Sequence, residues 1–254
     1  MTSTAATFSF VHDGATLVVR QSAHAHPARR NYLLVHGIGV SSRYFERLAV
    51  RLAEQGHVHN VDLPGFGQAP TPSHPLSIED FAALLCAYMD AEELRDCVLV
   101  GHSMGAQVVT EMARIRPDLA GLIVLIGPVV DTAAPTAARQ AGRLALDMLR
   151  ETPASNLVVL ADYARCGPRW YLRQLPAMLE YPIAQRFAEV RVPRVVLRGR
   201  RDPVAPRQWA LALAQSSGGA RLVEIPGVAH VAQFTAPNAV ADAVLHFSGH
   251  ADPA

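Results

Sequence analysis

Lysine is missing from the chain, whose 23 basic residues are all arginine. Without a side-chain amine, the protein cannot form a Schiff base with a carbonyl substrate. It also lacks the lysine that completes a nucleotide phosphate-binding loop. The composition therefore excludes lysine-dependent covalent catalysis and phosphate-binding-loop chemistry.

The net charge is small, and there are few cysteines. The formal net charge is +1 over 254 residues, so no strong field would gather nucleic acid or an anionic membrane. The three cysteines, Cys86, Cys97 and Cys166, are odd in number and widely spaced, which argues against a disulfide framework or a zinc site. We therefore expect neither nucleic acid nor a membrane among the partners, and the oligomeric state stays open.

Long apolar runs are also lacking. The longest is interrupted by Gly127 and Pro128 and is shorter than the roughly 20 residues that cross a bilayer. Residues 1–7 contain neither the basic region nor the apolar stretch of a signal peptide. These features predict a soluble cytoplasmic protein. With 50% hydrophobic residues and no repeat or low-complexity linker, the chain should form one large core.

Strand-like apolar runs alternate with helical patterns along most of the chain. Strands are predicted near residues 7–11, 16–21, 31–35, 58–62, 97–101, 121–126, 194–198 and 221–225. Helices are predicted near residues 42–55, 78–91, 104–115, 207–216 and 237–247. The first two strands should form the antiparallel start of the sheet. The later alternation requires a mostly parallel, eight-stranded α/β sheet with helices on both faces.

One long stretch, residues 131–188, breaks this alternation. It contains no convincing strand and is far longer than a usual connection in such folds. Helical spacing of apolar residues appears at 139–150 and again at 168–179. We therefore predict a helical insertion here, within a sheet core formed by residues 1–130 and 189–254, rather than a second independent domain.

The most informative pattern is Gly-His-Ser-Met-Gly at Gly101–Gly105. It follows an apolar strand and precedes a helical pattern, which is the context of a nucleophile elbow. The turn strains the backbone of Ser103, so small residues are needed two positions away on either side. The helix that follows would point N–H groups at an oxyanion. The alternative is an ordinary glycine-flanked turn, but the strand and helix favour a nucleophile.

A serine nucleophile needs a base and an acid that orients it. Asp202 follows the strand at 194–198 through a glycine turn, and His230 follows the strand at 221–225 through a Pro-Gly turn. Both candidates therefore lie just beyond the carboxyl end of a strand, where open α/β sheets place their sites.

Together these motifs resemble the α/β-hydrolase fold superfamily over roughly residues 10–248. Five segments carry the resemblance, in the family's order: Leu33–Gly39, Val61–Gly67, Gly101–Gly105, Gly199–Val204 and Gly227–His230. The resemblance implies that residues 131–188, after the sixth strand, form a helical cap over the active site. Most apolar faces of such a cap would pack on the sheet domain, and we expect Trp170, Tyr171 and Met178 to be the residues that face the substrate pocket.

The resemblance assigns a role to each matching residue. Ser103 would be the nucleophile, His230 the general base and then acid, and Asp202 the residue that orients His230. The oxyanion hole would consist of the backbone N–H groups of Ile38 and Met104. No metal or organic cofactor is implied, and the expected partner is a small-molecule substrate.

Two other carboxylates compete with Asp202 for the acid's role. Asp131 follows the strand at 121–126, where some relatives place their acid, whereas Asp62 occupies a position that usually braces a loop. The Gly-x-x-Asp-Pro setting favours Asp202. His36 and His102 belong to the matching motifs but are interpreted as structural.

The expected chemistry is acyl transfer from an ester, thioester or activated amide to Ser103. Haloalkane dehalogenases and epoxide hydrolases carry an aspartate at this position, which disfavours those activities. We expect first a carboxylesterase for a small to medium apolar acyl group. The alternatives are a carbon–carbon hydrolase of a ring-cleavage pathway, an acyltransferase or cofactor-free perhydrolase, and a slow-turnover receptor. Val231 argues against the first alternative, since those hydrolases often carry an aromatic residue after the histidine.

Overall fold

The computed structural model describes residues 6–22, 30–216 and 218–249. Its centre is a sheet of eight strands. They are β1 (Ala6–His12), β2 (Ala15–Gln21), β3 (Asn31–Val35), β4 (His57–Asp62), β5 (Cys97–His102), β6 (Ala120–Ile126), β7 (Arg194–Gly199) and β8 (Arg221–Ile225). Each strand overlaps the apolar run from which it was predicted.

The strand order across the sheet is β1-β2-β4-β3-β5-β6-β7-β8. β2 pairs antiparallel with β1 and with β4, and the remaining neighbours are parallel. The predicted mostly parallel sheet with an antiparallel start is therefore confirmed. Because the parallel strands share one direction, the loops that follow β3, β5, β6, β7 and β8 meet at one edge of the sheet.

The central strands are covered on both faces, which explains their nearly continuous apolar sequences. Leu33 and Leu99 belong to the core on one face, with side chains of the helices on that side. Leu34 and Val98, one residue away in each strand, belong to the core on the opposite face. The period of two along each strand thus divides one apolar run between two cores.

Ten α-helices are assigned in the described residues: α1 (Glu46–Leu52), α2 (Ile78–Ala91), α3 (Met104–Ile115), α4 (Ala137–Met148), α5 (Pro153–Cys166), α6 (Pro168–Glu180), α7 (Ile183–Glu189), α8 (Arg207–Ser216), α9 (Ala232–Thr235) and α10 (Pro237–Gly249). The helix expected at 42–55 is instead a 3-10 turn, Ser42–Phe45, followed by α1. Ser77 and Asp80 form a reciprocal capping box at the start of α2.

Helices α4–α7 occupy most of the insertion between β6 and β7; residues 131–188 are called the helical segment below. The two helices predicted there correspond to α4 and α6, whereas α5 and α7 were not predicted. Leu157 and Leu160 of α5 are exposed, so this helix lacks a clear buried apolar stripe. Its N-terminal signal was present, however, because Thr152 caps the helix and Pro153 is its first residue.

None of the helices in the described part of the chain is both long and apolar enough to cross a membrane.

Candidate active site

Ser103 lies in the sharp turn between β5 and α3. Its backbone has φ 55° and ψ −118°, a conformation that costs a non-glycine residue about 1–3 kcal/mol. The chain approaches itself closely around this turn. A Cβ on Gly101 would lie 2.2 Å from the carbonyl oxygen of Gly105, and a Cβ on Gly105 would lie 2.1 Å from that of Val35. The requirement for small flanking residues is therefore steric.

The loop after β3 lies directly against the serine. A Cβ on Gly37 would be 3.0 Å from the Ser103 Cβ and 3.4 Å from its Oγ. Ile38 and Ser103 line the same cavity, and Met104 is the first residue of α3. The two N–H groups expected to form an oxyanion hole thus belong to the two segments that adjoin the serine.

His230 and Asp202 are in contact at the same edge of the sheet. His230 Nδ1 lies 2.9 Å from Asp202 Oδ2, and both side chains are buried. Asp202 Oδ1 accepts hydrogen bonds from the backbone N–H groups of Val204, at 2.7 Å, and Ala205, at 3.0 Å. An acceptor on Nδ1 keeps the proton there and leaves Nε2 free to accept a proton. His230 and Ser103 both line the cavity.

Electrostatics favour an ionised Asp202 beside His230. Burial raises the pKa of Asp202, but the charge and hydrogen bond of His230 and the N–H groups of Val204 and Ala205 outweigh it and lower the pKa. Burial lowers the pKa of His230, and the charge and hydrogen bond of Asp202, followed by the charge of Asp147, raise it overall. The pair therefore stabilises an imidazolium at His230.

The competing carboxylates have other partners. Asp131 Oδ2 lies 2.7 Å from Arg143 Nη1 on α4, and Asp131 Oδ1 accepts the N–H of Ala133. Asp62 accepts the backbone N–H groups of Ser42 and Gln68, so it braces loops as expected. In this structure Asp202 is the carboxylate that contacts the ring of His230.

His102 connects the three loops of the site, which the sequence did not indicate. Its Nε2 donates to the backbone carbonyl of His230 at 3.0 Å, so its Nδ1 accepts from the hydroxyl of Tyr44 at 2.8 Å. That hydroxyl in turn accepts the N–H of Gly37 at 2.8 Å. Burial, assisted by the charge of His230, holds the pKa of His102 well below its usual value. His102 is thus a neutral structural residue.

Two carboxylates of the helical segment also reach the site. Asp147 Oδ1 accepts the backbone N–H of His230 at 2.9 Å, and Glu151 Oε1 accepts that of Val231 at 2.8 Å. Burial raises the pKa of Asp147 to about 7, with the charge of Asp202 adding to the rise. No motif points to these residues: Asp147 lies within the helical spacing predicted at 139–150, and Glu151 directly follows it.

A cavity of about 850 Å³ opens beside Ser103 and His230. Besides the sheet loops, its lining comes from α4, α5 and α6 and is mostly apolar, with side chains that include Ala141, Leu144, Val159, Leu160, Tyr163, Tyr171, Leu172, Leu175 and Met178. Its polar members include Gln140, Asp147, Glu151 and Asn156. The structure therefore places Tyr171 and Met178, two of the three expected pocket residues, in the lining.

The expectation for Trp170 needs correction. Its ring packs on the loop after β4, where a Cβ on Gly65 would lie 2.2 Å from Trp170 Nε1. One turn later on the same helix face, Gln174 exchanges hydrogen bonds with the backbone of Leu76. Trp170 and Gln174 thus attach α6 to the rest of the chain outside residues 131–188, called the sheet part below. Tyr171 and Leu175, turned about 100° away, face the cavity.

Within the residues that the structure describes, no group of three or more His, Cys, Asp or Glu side chains is arranged to hold a metal ion.

Comparison with known proteins gives a consistent family match. A model of the alpha/beta hydrolase family matches residues 32–243. A pimeloyl-[acyl-carrier protein] methyl ester esterase of Neisseria meningitidis serogroup C is 27% identical over 228 residues, covering 80% of this chain and 87% of that protein. An (E)-2-((N-methylformamido)methylene)succinate hydrolase of Acinetobacter baylyi is 23% identical over 233 residues, which cover 84% of this chain and 88% of that protein.

The fold also matches solved structures. The crystal structure of the enol-lactonase from Burkholderia xenovorans LB400 superposes with a TM-score of 0.80 at 21% identity and covers 94% of this chain and 98% of that chain. At this identity the likeness concerns the fold alone.

Proposed function

The chain belongs to the alpha/beta hydrolase family, and we propose that it is a serine hydrolase that cleaves an ester-type bond of a small to medium apolar substrate. One observation carries the proposal. His230 is held by Asp202 at 2.9 Å, and it lines an apolar cavity together with Ser103, whose strained turn is that of a nucleophile elbow.

In the proposed reaction, His230 Nε2 accepts the hydroxyl proton of Ser103 while Oγ attacks the substrate carbonyl. The ionised Asp202 stabilises the resulting imidazolium. The carbonyl π electrons move to the oxygen, and the oxyanion is bound by the N–H groups of Ile38 and Met104. His230 then donates its proton to the leaving alcohol as the carbon–oxygen bond breaks, which leaves an acyl group on Ser103.

Water completes the cycle by the same route. His230 Nε2 removes a proton from water as the oxygen attacks the acyl carbon, and the second tetrahedral intermediate collapses. The proton passes to Ser103 Oγ, and the carboxylic acid product leaves.

The cavity indicates the chemical class of substrate. Its apolar lining favours an aliphatic or aromatic acyl group. Asp147 and Glu151 are the charged side chains among its described lining residues besides the titratable His230, and the described lining includes no arginine. A free carboxylate on the substrate would meet these carboxylates, and a protonated His230, the cation it could pair with, would be unable to act as the base. Neutral substrates are therefore favoured.

In this proposal the helical segment acts as a cap. Its helices supply most of the apolar side chains that face the cavity, whereas the sheet part supplies the reacting groups. The ester is preferred over a carbon–carbon bond because the Neisseria relative is named for a methyl ester and because Val231 is aliphatic.

Hydrolysis of p-nitrophenyl esters of increasing acyl length tests the proposal. We expect turnover of neutral esters, with weaker activity toward an ester whose acyl chain ends in a carboxylate. Ser103→Ala should fold normally and lose about 10⁴–10⁶ in kcat. Retention of a tenth of the activity by Ser103→Ala would refute the proposed nucleophile, and a wild-type protein without turnover would favour a receptor.

A further inference from the structure

The turn between α4 and α5 contacts the loop that carries His230. Asp147 lies in the last turn of α4, and Glu151 follows four residues later. Their carboxylates accept the N–H groups of two consecutive residues, His230 and Val231, at 2.9 and 2.8 Å. The backbone of the histidine loop is therefore held by the helical segment and not only by its own strand.

The same turn also contacts the loop that carries Asp202. Arg150 Nη1 donates to the backbone carbonyl of Arg201 at 2.9 Å. Glu151 is fixed in turn by the hydroxyl of Ser155, which donates to Oε2 at 3.0 Å. One corner of the helical segment thus makes hydrogen bonds to both loops whose side chains must meet in the proposed mechanism.

Asp147 is well placed to act on His230 electrostatically as well. It is buried, with 2% of its surface exposed, and it lines the cavity beside His230. In such surroundings a charge is weakly screened. An anion near an imidazole favours the protonated form of the ring.

The groups that face His230 come from three elements. Asp202 contacts Nδ1 from the loop after β7, and Asp147 and Glu151 lie on the α4–α5 corner. The ring of His102, at the end of β5, has its centroid 4.6 Å from that of His230. His102 stays neutral at ordinary pH because burial lowers its pKa, so the charges that act on His230 are those of the carboxylates.

We infer that Asp147 is a positioning residue for His230, fixing the histidine loop through the backbone and favouring, through its charge, the imidazolium that forms when Ser103 is deprotonated. The inference rests on the proposed general-base role of His230. It assigns to the helical segment a part in the chemistry, beyond contact with the substrate.

The charge of Asp147 has two opposed effects. It stabilises the imidazolium in the transition state, which increases kcat on the alkaline plateau. The pKa of His230, about 9, lies above the pKa of Asp147, about 7, so Asp147 is still charged at the pH where His230 gains its proton. Its charge helps to raise the pKa of His230, and the neutral base is therefore lost at a higher pH as the solution is acidified. Without the charge of Asp147, the fall of kcat/KM toward acid pH (the acidic limb) should move to lower pH. The alkaline plateau of kcat should also be lower.

Asp147→Asn and Asp147→Ala separate the two roles. Asparagine keeps an oxygen that can accept the His230 N–H, but it carries no charge. We expect its acidic limb to move down by about one pH unit, with a plateau kcat about tenfold lower. Alanine also loses the acceptor, so its kcat should fall by about a further tenfold while the limb moves similarly.

Asp162→Asn is the matched control, since Asp162 is another buried carboxylate of the helical segment but binds Ser41 and Arg43. The acidic limb of kcat/KM of Asp162→Asn should stay at the pH found for the wild-type protein. Thermal denaturation of each variant monitors folding. Should the alanine variant fail to fold, Glu151→Gln takes its place, with a shift in the same direction but smaller than that of Asp147→Asn.

An Asp147→Asn limb at the wild-type pH would overturn the inference even if the activity falls, because a merely structural loss does not move the limb. That result leaves the proposed function intact. The proposed function fails separately if Ser103→Ala stays active or if wild-type activity has no acidic limb at all.

Discussion

The sheet part and the helical segment use their apolar side chains differently. In the sheet part, strands such as β5 are buried throughout, and long side chains such as Phe81 and Leu34 are fully enclosed. In the helical segment, Leu149 is 84% exposed and Leu157 is 71% exposed. Among the described residues, five of the eight large apolar side chains that are exposed belong to the helical segment.

This difference in burial corresponds to a difference in role between the two parts. Apolar residues of the sheet part stabilise the fold by leaving water, and they hold Ser103, Asp202 and His230 at its edge. Many apolar residues of the helical segment face solvent or the cavity, whereas others, such as Trp170 and Phe187, pack into the core. Changes near the reacting groups should therefore reduce kcat, whereas changes in the lining of the cavity should act mainly through KM.

The largest contrast is expected between two aspartates. Asp202→Asn should lower kcat by about 10⁴, because an amide no longer fixes the His230 tautomer or stabilises the imidazolium. Asp131→Asn, at the start of the helical segment, removes a carboxylate that pairs with Arg143 and should lose far less. Steady-state kinetics of both variants test this. Equal large losses would mean that the acid is shared or misassigned, and the reverse order would move the acid's role to Asp131.

A smaller loss of kcat than in Asp202→Asn is expected from a substitution at Gly127, the first residue after β6. A Cβ here would lie 2.9 Å from His230 Nδ1 and 3.2 Å from Asp202 Oδ2. Gly127→Ala should displace the pair and lower kcat by about 100-fold. It should also lower stability by about 1 kcal/mol, because the φ of +52° disfavours an L residue.

Gly167→Ala in the helical segment is the control for this change. Gly167 has a φ of +76°, but a Cβ added to it would enter open space, so this variant should show the loss of stability without the loss of kcat. Denaturant titration together with kinetics separates the two effects. A normal kcat in Gly127→Ala would mean that the His230–Asp202 geometry tolerates displacement.

The smallest effect is expected in the cavity lining. Leu175→Ala removes apolar surface that faces the cavity and should raise KM for long acyl esters about tenfold, with kcat nearly unchanged. Leu179, on the same helix, packs against the core as Leu175 does but is absent from the described lining of the cavity, so Leu179→Ala should lower stability without raising KM. A KM that does not change in Leu175→Ala, measured across the ester series, would remove α6 from the binding site.

The same difference explains what could be predicted from the sequence. The strands and the positions of Ser103, Asp202 and His230 follow from local patterns, since a turn motif at the end of a strand fixes where its residue lies. Asp147 is different, because its role depends on a contact with His230, which is 83 residues away in the chain. No local pattern encodes such a contact.

The rotation of α6 about its own axis also could not be predicted from the sequence. Trp170 and Tyr171 are neighbours in the sequence, and both are large and aromatic, so composition alone does not say which one faces the cavity. The answer depends on the hydrogen bonds that attach Gln174 to Leu76 and on the space above Gly65. These contacts fix the rotation of α6 only in the folded protein.

The central claim is that the strained turn after β5 presents Ser103 as the nucleophile. The most direct test is to treat the protein with a fluorophosphonate and to locate the adduct by peptide mass spectrometry. We predict a single phosphonylated residue, Ser103, with no labelling of Ser103→Ala and with slower labelling at a pH where His230 is protonated. An adduct on a different residue, or undiminished labelling of Ser103→Ala, would contradict the account.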